Sequence, residues 1–231
     1  MTELANRRPS EWQRLFAIAS DLIDQVRVAT GGYDFEWSFG GGTAMMIQIG
    51  HRESHDIDLF INDPQLLGFL DPSRSGLSFS VVPAAYEGDG ARFQKFAFDQ
   101  LGEIDFIVAG PLTAVPVVAR VVEGQPVQLE TIPEIIAKKI VHRGAVARAR
   151  DIFDLAAASR EQRPEVISAL RAFPEQVGAT RQRLAALNPE FVAKTISQLM
   201  IKPAYEAMAP DSLAIATDLL DEVLHASYRS C

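Results

Sequence analysis

The segment FGGGTAMMIQIGHRESHDIDLF, residues 39–60, joins a glycine-rich turn to a pair of closely spaced aspartates. The residues that lead into Phe39 predict a short strand, and Thr43 to Ile49 have the composition of a small helix that packs its apolar residues inward. From Asp56 onward acidic and aliphatic residues alternate, which is typical of a half-buried strand. The segment therefore predicts a strand, a tight turn, a helix and a second strand.

The aspartate pair is the first candidate for chemistry. Asp56 and Asp58 are two residues apart on the predicted strand, so their carboxylates share one face while Ile57 and Leu59 enter the core. Two adjacent carboxylates repel each other unless a cation lies between them. We expect Mg²⁺, or Mn²⁺ in its place, because Mg²⁺ prefers oxygen ligands and keeps positions for water and substrate phosphates. Because Asp-x-Asp is also common on solvated surfaces, the functional interpretation depends on its surroundings.

The glycine-rich turn supplies those surroundings. Gly41, Gly42 and Thr43 precede the pair, with twelve residues between Thr43 and Asp56. Glycines let the backbone approach phosphates closely, and the N-terminus of a helix offers free N–H donors. A tight strand-to-helix turn would by itself explain two of the three consecutive glycines, so a structural role is the alternative. Together, the turn and the pair predict a site for nucleotide phosphates with a bound cation.

The rest of the chain changes character near residue 130. Before that point a helix is predicted over 10–29, and strands over 36–39, 56–61, 77–82, 93–99, 103–109, 117–122 and 127–130. After it the spacing predicts helices over 134–143, 151–159, 164–172, 181–186, 189–201 and 211–228. We therefore predict an α+β fold, with a mixed β-sheet and flanking helices in a domain of residues 1–128. A helical domain of residues 129–231 follows.

Composition limits the classes of function. The net charge of −8 argues against a general nucleic-acid coat. Residues 138–163 nevertheless hold seven Lys or Arg against three acids, which makes this basic stretch either a path for RNA or a solvated helix face. No apolar run approaches the roughly 18 residues that would span a bilayer, and the first residues lack the apolar core of a signal peptide. With Cys231 as the single cysteine, no disulfide framework is expected, and the location expected is cytoplasmic.

Four blocks of residues carry a resemblance to a known family. They are Gly41–Ala44, His51–Phe60, Ile136–Lys139 and Arg150–Leu155. These blocks resemble the DNA polymerase beta-like nucleotidyltransferase superfamily and, within it, the AbiEii-type family, many of whose members are toxins of toxin–antitoxin systems. The resemblance implies transfer of a nucleoside monophosphate from an NTP, such as ATP, to an acceptor hydroxyl on a tRNA 3′ end or a protein. It also implies an antitoxin protein as partner.

A third carboxylate would come from a neighbouring strand in this superfamily. Asp105 is the candidate, since by alternation it shares a face with Glu103 and Ile107. An acid on a buried strand needs a partner, and a bound cation would supply one. The resemblance therefore assigns Asp105 either as a metal ligand or as the base that accepts the proton of the acceptor.

The resemblance also implies a second set of residues in the helical part. Lys139 matches a lysine that faces the nucleotide phosphates, and Asp154 matches an aspartate that completes the site. The alternative is an ion pair between two helices, because Asp151 and Asp154 lie three residues apart on one helix face. Arg52 and Ser54, just before the aspartate pair, are candidate nucleotide-binding residues; Arg52 would grip a phosphate with two hydrogen bonds or pair with a nearby acid.

Two other classes of function fit part of the pattern. A small-molecule nucleotidyltransferase of the antibiotic-modifying kind would share the first half of the chain, but would need a deep acceptor pocket lined by acids. A noncatalytic regulatory module would keep the fold without the chemistry. The joint presence of both aspartates, the glycines and Lys139 favours the enzyme over the module.

Overall fold

The computed structural model describes residues 8–228. Cys231 and the N-terminal residues 1–7 lie outside this range. The strands of the described range are β1 (Trp37–Gly40), β2 (Ile57–Ile61), β3 (Ala85–Gly88), β4 (Phe93–Phe98), β5 (Gly102–Val108), β6 (Val117–Val122) and β7 (Gln125–Glu130). The helices are α1 (Trp12–Ala29), α2 (Gly41–Ile49), α3 (Ile132–Arg143), α4 (Ala149–Leu170), α5 (Pro174–Ala185), α6 (Pro189–Ile196), α7 (Pro203–Glu206) and α8 (Ser212–Tyr228). This mixture confirms the predicted α+β class.

The chain forms two compact units that alternate along the sequence. The first unit contains the chain up to Ala44, together with Ser54–Pro111 and Val117–Glu130. The second unit contains Met45–Glu53, Leu112–Pro116 and the chain from Thr131 onward. All strands of the described range belong to the first unit, and α3 to α8 belong to the second. The predicted division at residues 128 and 129 stays a prediction.

The sheet of the first unit places three strands side by side at the aspartate pair. Within residues 8–228 the sheet has seven strands in the order β3-β4-β5-β2-β1-β7-β6. Strand β2 pairs antiparallel with β1 and parallel with β5, and β5 pairs antiparallel with β4. Side chains alternate along each strand, so Ile57 and Ile104 are fully buried while their neighbours in sequence face the other side. One face of β2, β5 and β4 therefore remains for polar residues.

The strand predicted over residues 77–82 is wrong. The side chains there alternate between half-buried and exposed, as the pattern indicated, but the backbone pairs with no strand of the described chain. The amide and carbonyl of Ser78 bond instead to the side chain of Gln25, at 2.8 Å each, so a helix side chain replaces the strand ladder. The edge strand β3, which follows Pro83, was not predicted because its side chains are all exposed.

The helices of the second unit lie where the spacing predicted, but their bounds differ: α5 begins at Pro174 and not at residue 181, and α6 ends at Ile196 and not at residue 201. Thr131 caps α3, because its hydroxyl accepts from the amide of Glu134. The two helices predicted over 151–159 and 164–172 form the single helix α4, which has one non-helical residue, Gln162, with φ −143° and ψ 46°. Pro164 explains the interruption, since its ring disfavours helical backbone in the residues before it. The short helix α7 was not predicted.

Candidate active site

A row of charged side chains crosses three strands of the first unit. Asp58 on β2 lies directly beside Asp105 on β5, and Asp105 lies opposite Lys95 on β4. The ammonium nitrogen of Lys95 is 3.3 Å from Oδ2 of Asp105 and 2.6 Å from Oε2 of Glu103. Neighbouring strands lie about 5 Å apart, so the negative charges of Asp58 and Asp105 repel each other. The predicted third carboxylate therefore lies next to the aspartate pair.

Asp105 has surroundings that disfavour its charged form. Burial, followed by the charge of Asp58, raises the pKa of Asp105 to about 7, although Lys95 acts in the opposite direction. The Oδ1 atom of Asp105 is buried and has no hydrogen-bond partner within the described chain. A buried carboxylate oxygen without a donor is costly unless a ligand or an ion satisfies it. Asp105 is therefore suited to receive a positive charge.

Asp56 is held at the start of β2 by backbone groups. Its Oδ1 accepts a hydrogen bond of 3.1 Å from the amide of Glu103. Its carbonyl oxygen accepts from the hydroxyl of Thr43, which is fully buried. Thr43 thus fixes the turn to the aspartate pair, and its predicted contact with a nucleotide stays a prediction. Asp56 and Asp58 are both half-buried, so solvent reaches each of them in part.

Two of the three consecutive glycines are required by close packing, as the structural alternative proposed. A Cβ atom on Gly41 would lie 1.8 Å from Oδ2 of Asp58, and Gly41 has a φ of +68°, in the left-handed region that favours glycine. A Cβ on Gly40 would lie 2.2 Å from Oε2 of Glu130. The backbone at the start of α2 therefore touches the Asp58 carboxylate directly, which no residue with a side chain would allow.

These residues fit a divalent cation by their chemistry. The donors are carboxylate oxygens, which Mg²⁺ prefers, and the Oδ1 atom of Asp105 needs a positive partner. At Gly41 the missing side chain lets the Asp58 carboxylate lie close against the start of α2. Within residues 8–228, however, no group of three or more His, Cys, Asp or Glu converges with the geometry of a metal site. Joint ligation by Asp56, Asp58 and Asp105 stays a prediction.

A second charged cluster lies inside the second unit, around Asp154. Arg52 donates to both oxygens of Asp154, at 2.7 Å from Nε and 2.9 Å from Nη2. His51 lies 2.9 Å from Oδ1 of the same carboxylate, and the ammonium of Lys139 lies 3.0 Å from Oδ2. Lys139 is also 3.3 Å from Asp151. The side chain of Asp154 is completely buried and both of its oxygens have partners, whereas Nδ1 of His51 has none within the described chain.

The electrostatics of this cluster are opposite to those of Asp105. Burial alone would raise the pKa of Asp154, but Arg52, Lys139 and the hydrogen bond with His51 hold it well below its usual range. Burial lowers the pKa of His51, and the hydrogen bond with Asp154 offsets this only in part. His51 is therefore neutral at pH 7 and stacks on Phe153, with ring centroids 6.0 Å apart.

Lys139 and Arg52 of the second unit, which were predicted to bind phosphates, contact acidic side chains instead. Lys139 pairs with Asp151 and Asp154, which is the ion pair named as the alternative, and Arg52 binds Asp154 with two hydrogen bonds. Ser54 is buried, and its carbonyl accepts from the hydroxyl of Ser10. Roles for Lys139, Asp154, Arg52 and Ser54 in nucleotide binding stay predictions.

The basic stretch 138–163 is also largely neutralised. Five of its seven Lys and Arg side chains lie within 4 Å of a carboxylate of the described chain: Lys138, Lys139, Arg143, Arg160 and Arg163. Arg148 and Arg150 are the other two. The local excess of positive charge is therefore smaller than the sequence indicates.

Sequence reasoning missed Lys95 as the partner of Asp105 and His51 as a partner of Asp154. Lys95 lies on a strand, FQKFAF, in which polar and apolar residues do not alternate, so the sequence did not distinguish it from a solvated strand lysine. Counting the β4–β5 hairpin outward from its turn would have found it, because Phe98 pairs with Gly102 and Lys95 therefore pairs with Asp105. His51 gave no such signal, since 103 residues separate it from Asp154.

The mixed sheet carries paired carboxylates beside a glycine turn and a helix N-terminus, as the resemblance to nucleotidyltransferases implies. A family model described as "Nucleotidyl transferase AbiEii toxin, Type IV TA system" matches residues 26–227. Since this match covers most of the sequence, the chain belongs to the AbiEii family and is a nucleotidyltransferase. The predicted family and enzyme class are confirmed, and the match extends well beyond the blocks at residues 39–155. No curated protein matched the sequence.

Of three similar solved structures, one supports the fold. MenT4, a nucleotidyltransferase toxin from Mycobacterium tuberculosis H37Rv, has a TM-score of 0.56 and 18% identity, with 93% of this chain and 86% of that chain covered. JHP933 from Helicobacter pylori has a TM-score of 0.49 and 14% identity, with 96% of each chain covered. The antibiotic-resistance factor ANT(2'')-Ia has a TM-score of 0.45 and 16% identity over 72% of this chain and 96% of that one, which is too low to support an antibiotic substrate. No helix in residues 8–228 has the length and apolarity to cross a membrane.

Proposed function

We propose that this chain transfers a nucleoside monophosphate from an NTP to an acceptor hydroxyl, with Mg²⁺ held by Asp56, Asp58 and Asp105. Mn²⁺ would serve in its place. The observation that supports this most directly is the pairing of Asp58 with Asp105, whose buried Oδ1 has no hydrogen-bond partner in the described chain. A structural role alone would leave that oxygen at a cost, whereas a cation would satisfy it.

The first unit supplies groups for each part of such a transfer. When bound, the ion would offset the charge of the triphosphate and polarise the α-phosphate. The backbone N–H groups at the start of α2, from Gly41 and Gly42, would bind the outer phosphates, because the N-terminus of a helix favours anions. The acceptor oxygen bonds to the α-phosphorus, its proton passes to Asp105, and pyrophosphate leaves. Catalysis here is mainly positioning and charge compensation.

The acceptor and the partner follow from the family. Because AbiEii proteins are described as toxins of a type IV toxin–antitoxin system, we propose an antitoxin protein as partner of this chain. We propose the hydroxyl of a tRNA 3′ end, or of a protein, as the acceptor. An RNA acceptor would depend on Arg148 and Arg150, because acids within the described residues pair with the other five cations of the basic stretch.

The test is transfer of label from each of the four α-³²P-labelled NTPs. The acceptors are total tRNA, the protein itself and a co-expressed candidate partner protein. Each acceptor is tested in Mg²⁺ and in chelator. We expect label on one acceptor in Mg²⁺ and a loss of about 10³-fold or more in Asp58→Asn, because a neutral amide oxygen replaces the charged carboxylate that binds the ion. The acceptor that becomes labelled identifies the target class.

The matched control is Asp99→Asn, which removes the same charge from an exposed turn of the same unit and should keep the wild-type rate. Full transfer by Asp58→Asn, or transfer that persists in chelator, would show that the proposed metal-dependent reaction is wrong. Absence of label on every acceptor, with no NTP binding, would favour the noncatalytic module instead.

A further inference from the structure

Lys95 holds a position in the carboxylate row that the proposed reaction does not explain. It lies on β4, next to β5, and its side chain is 27% exposed. One ammonium is shared by two carboxylates, with Oε2 of Glu103 at 2.6 Å and Oδ2 of Asp105 at 3.3 Å. Asp105 therefore has one oxygen against an ammonium and the other, Oδ1, without a partner in residues 8–228.

The order of the strands makes this arrangement specific. Asp58, Asp105 and Lys95 are consecutive members of one row, through direct register partners on β2, β5 and β4. Three acids, Asp58, Asp105 and Glu103, share this region with that single lysine, so Lys95 compensates only part of their charge. A lysine so placed attracts Asp105 toward β4, on the side away from Asp58.

We propose that Lys95 is a positioning residue of the transfer site, an internal counter-cation that holds Asp105 through Oδ2 and sets how tightly a divalent cation binds at Asp58 and Asp105. The inference rests on the proposed function, because it assumes that these carboxylates bind the ion. It assigns a role to a residue outside the Asp-x-Asp and glycine motifs.

The physical consequence is a competition between two cations for one carboxylate. While Lys95 contacts Asp105, an incoming ion must share that acid with a fixed positive charge, which weakens its binding. Removing the charge of Lys95 therefore strengthens ion binding, by about tenfold for one unit charge close to a divalent ion in a partly solvated site. Without the ion, the same change leaves three acids repelling one another and lowers the melting temperature.

The experiment measures Mn²⁺ binding by isothermal titration calorimetry, and melting temperature with and without Mn²⁺, on the full chain without nucleotide. Lys95→Met should bind Mn²⁺ about tenfold more tightly than wild type and should melt at a lower temperature in chelator. Lys95→Arg keeps the charge and should bind Mn²⁺ within about threefold of wild type. Lys194→Met, which removes the same charge from an exposed position on α6, is the matched control and should change neither quantity.

Glu103→Gln provides a test in the opposite direction. It removes the second partner of Lys95, so the ammonium turns fully to Asp105 and Mn²⁺ binding should weaken. This variant keeps the inference testable if Lys95→Met does not fold. Unchanged or weaker Mn²⁺ binding by Lys95→Met, or tighter binding by Glu103→Gln, overturns the role of Lys95 while leaving the metal site in place. A wild-type chain that binds Mn²⁺ no better than Asp58→Asn overturns the proposed metal site and this inference together.

Discussion

Asp105 and Asp154 are two mostly buried carboxylates with opposite surroundings. Asp105, on the sheet of the first unit, contacts one shared lysine and has an oxygen without a partner in the described chain. Asp154, in the second unit, contacts Arg52, Lys139 and His51, so both of its oxygens are used. The pKa of Asp105 is raised to about 7, whereas the pKa of Asp154 lies well below its usual range.

The difference shows that burial alone does not decide what an acid does. Burial acts in the same direction on both carboxylates, and the number of nearby cations reverses the result for Asp154. A carboxylate with too few donors is ready to accept an ion or a proton, while a saturated one stabilises its fold. Three substitutions test this contrast, and they are ordered here by the size of the expected effect.

The largest effect is expected from Asp154→Asn. It removes the negative charge that Asp154 places beside the buried cations Arg52 and Lys139, so we expect the free energy of unfolding to fall by about 3–5 kcal/mol. Denaturant unfolding at pH 7 measures it. Asp218→Asn is the control, because its partner is Arg163 and its side chain is 75% exposed, and it should cost less than about 1 kcal/mol. Equal losses for the two variants would remove the contrast between a saturated buried acid and a surface one.

A smaller effect of opposite sign is expected from Asp105→Asn in chelator. The folded protein binds a proton at Asp105 more readily than the unfolded chain does, so wild-type stability decreases as pH rises from about 4 to about 7. The asparagine has no such loss. We therefore expect a gain of about 1–2 kcal/mol over wild type at pH 8 that disappears near pH 4, because the lost contact with Lys95 offsets part of the benefit.

Thermal and denaturant unfolding at both pH values would measure this gain. Asp99→Asn, on an exposed turn, should show no pH-dependent gain. If Asp105→Asn instead lowers stability at pH 8, the contact with Lys95 outweighs the burial of the charge, and the two carboxylates are more alike than their pKa values indicate.

The smallest effect concerns His51, the neutral member of the Asp154 cluster. Its folded pKa is lowered, so its contribution to stability is complete above the unfolded value near 6.5 and is lost as pH falls. Wild-type stability should therefore decrease as pH falls below 6.5, and this part of the decrease should vanish in His51→Gln. His225→Gln, at an exposed position, should keep the wild-type slope. A wild-type slope in His51→Gln would show that other groups cause the acid sensitivity.

Local patterns in the sequence predicted the parts of the site that lie close together in the chain. The alternation around Asp58 gave the strand, the glycines gave the turn, and alternation in 103–109 gave the face of Asp105. The strand over 77–82 failed because alternation reports half-burial and not backbone pairing, and Gln25 satisfied that backbone instead.

The partners of the acids were harder to predict, because charge pairs between distant residues leave no periodic pattern. Lys139 and Asp154 were both identified, and the ion pair between them was named as an alternative. For Arg52 an ion pair with a nearby acid was named as an alternative, but neither Arg52 nor His51 was assigned to Asp154, since each lies about a hundred residues before it. Lys95 could have been predicted by counting residue pairs outward from the β4–β5 turn, so the strand register held information about the site that composition did not.

The segment Met45–Glu53 also has a consequence for synthesis. It belongs to the second unit, where the amide of Glu53 bonds to Met200 and the amide of Lys202 bonds to His51. Glu53 and Lys202 are 149 residues apart, which corresponds to about 7–30 s of translation. During that time the nascent chain contains Arg52 and His51, but not yet their partners. Asp154 is made first, and the residues near 200 follow later. The contacts that hold this segment are therefore completed only after Lys202 has been made, and truncation before Lys202 should release the segment that carries the buried arginine.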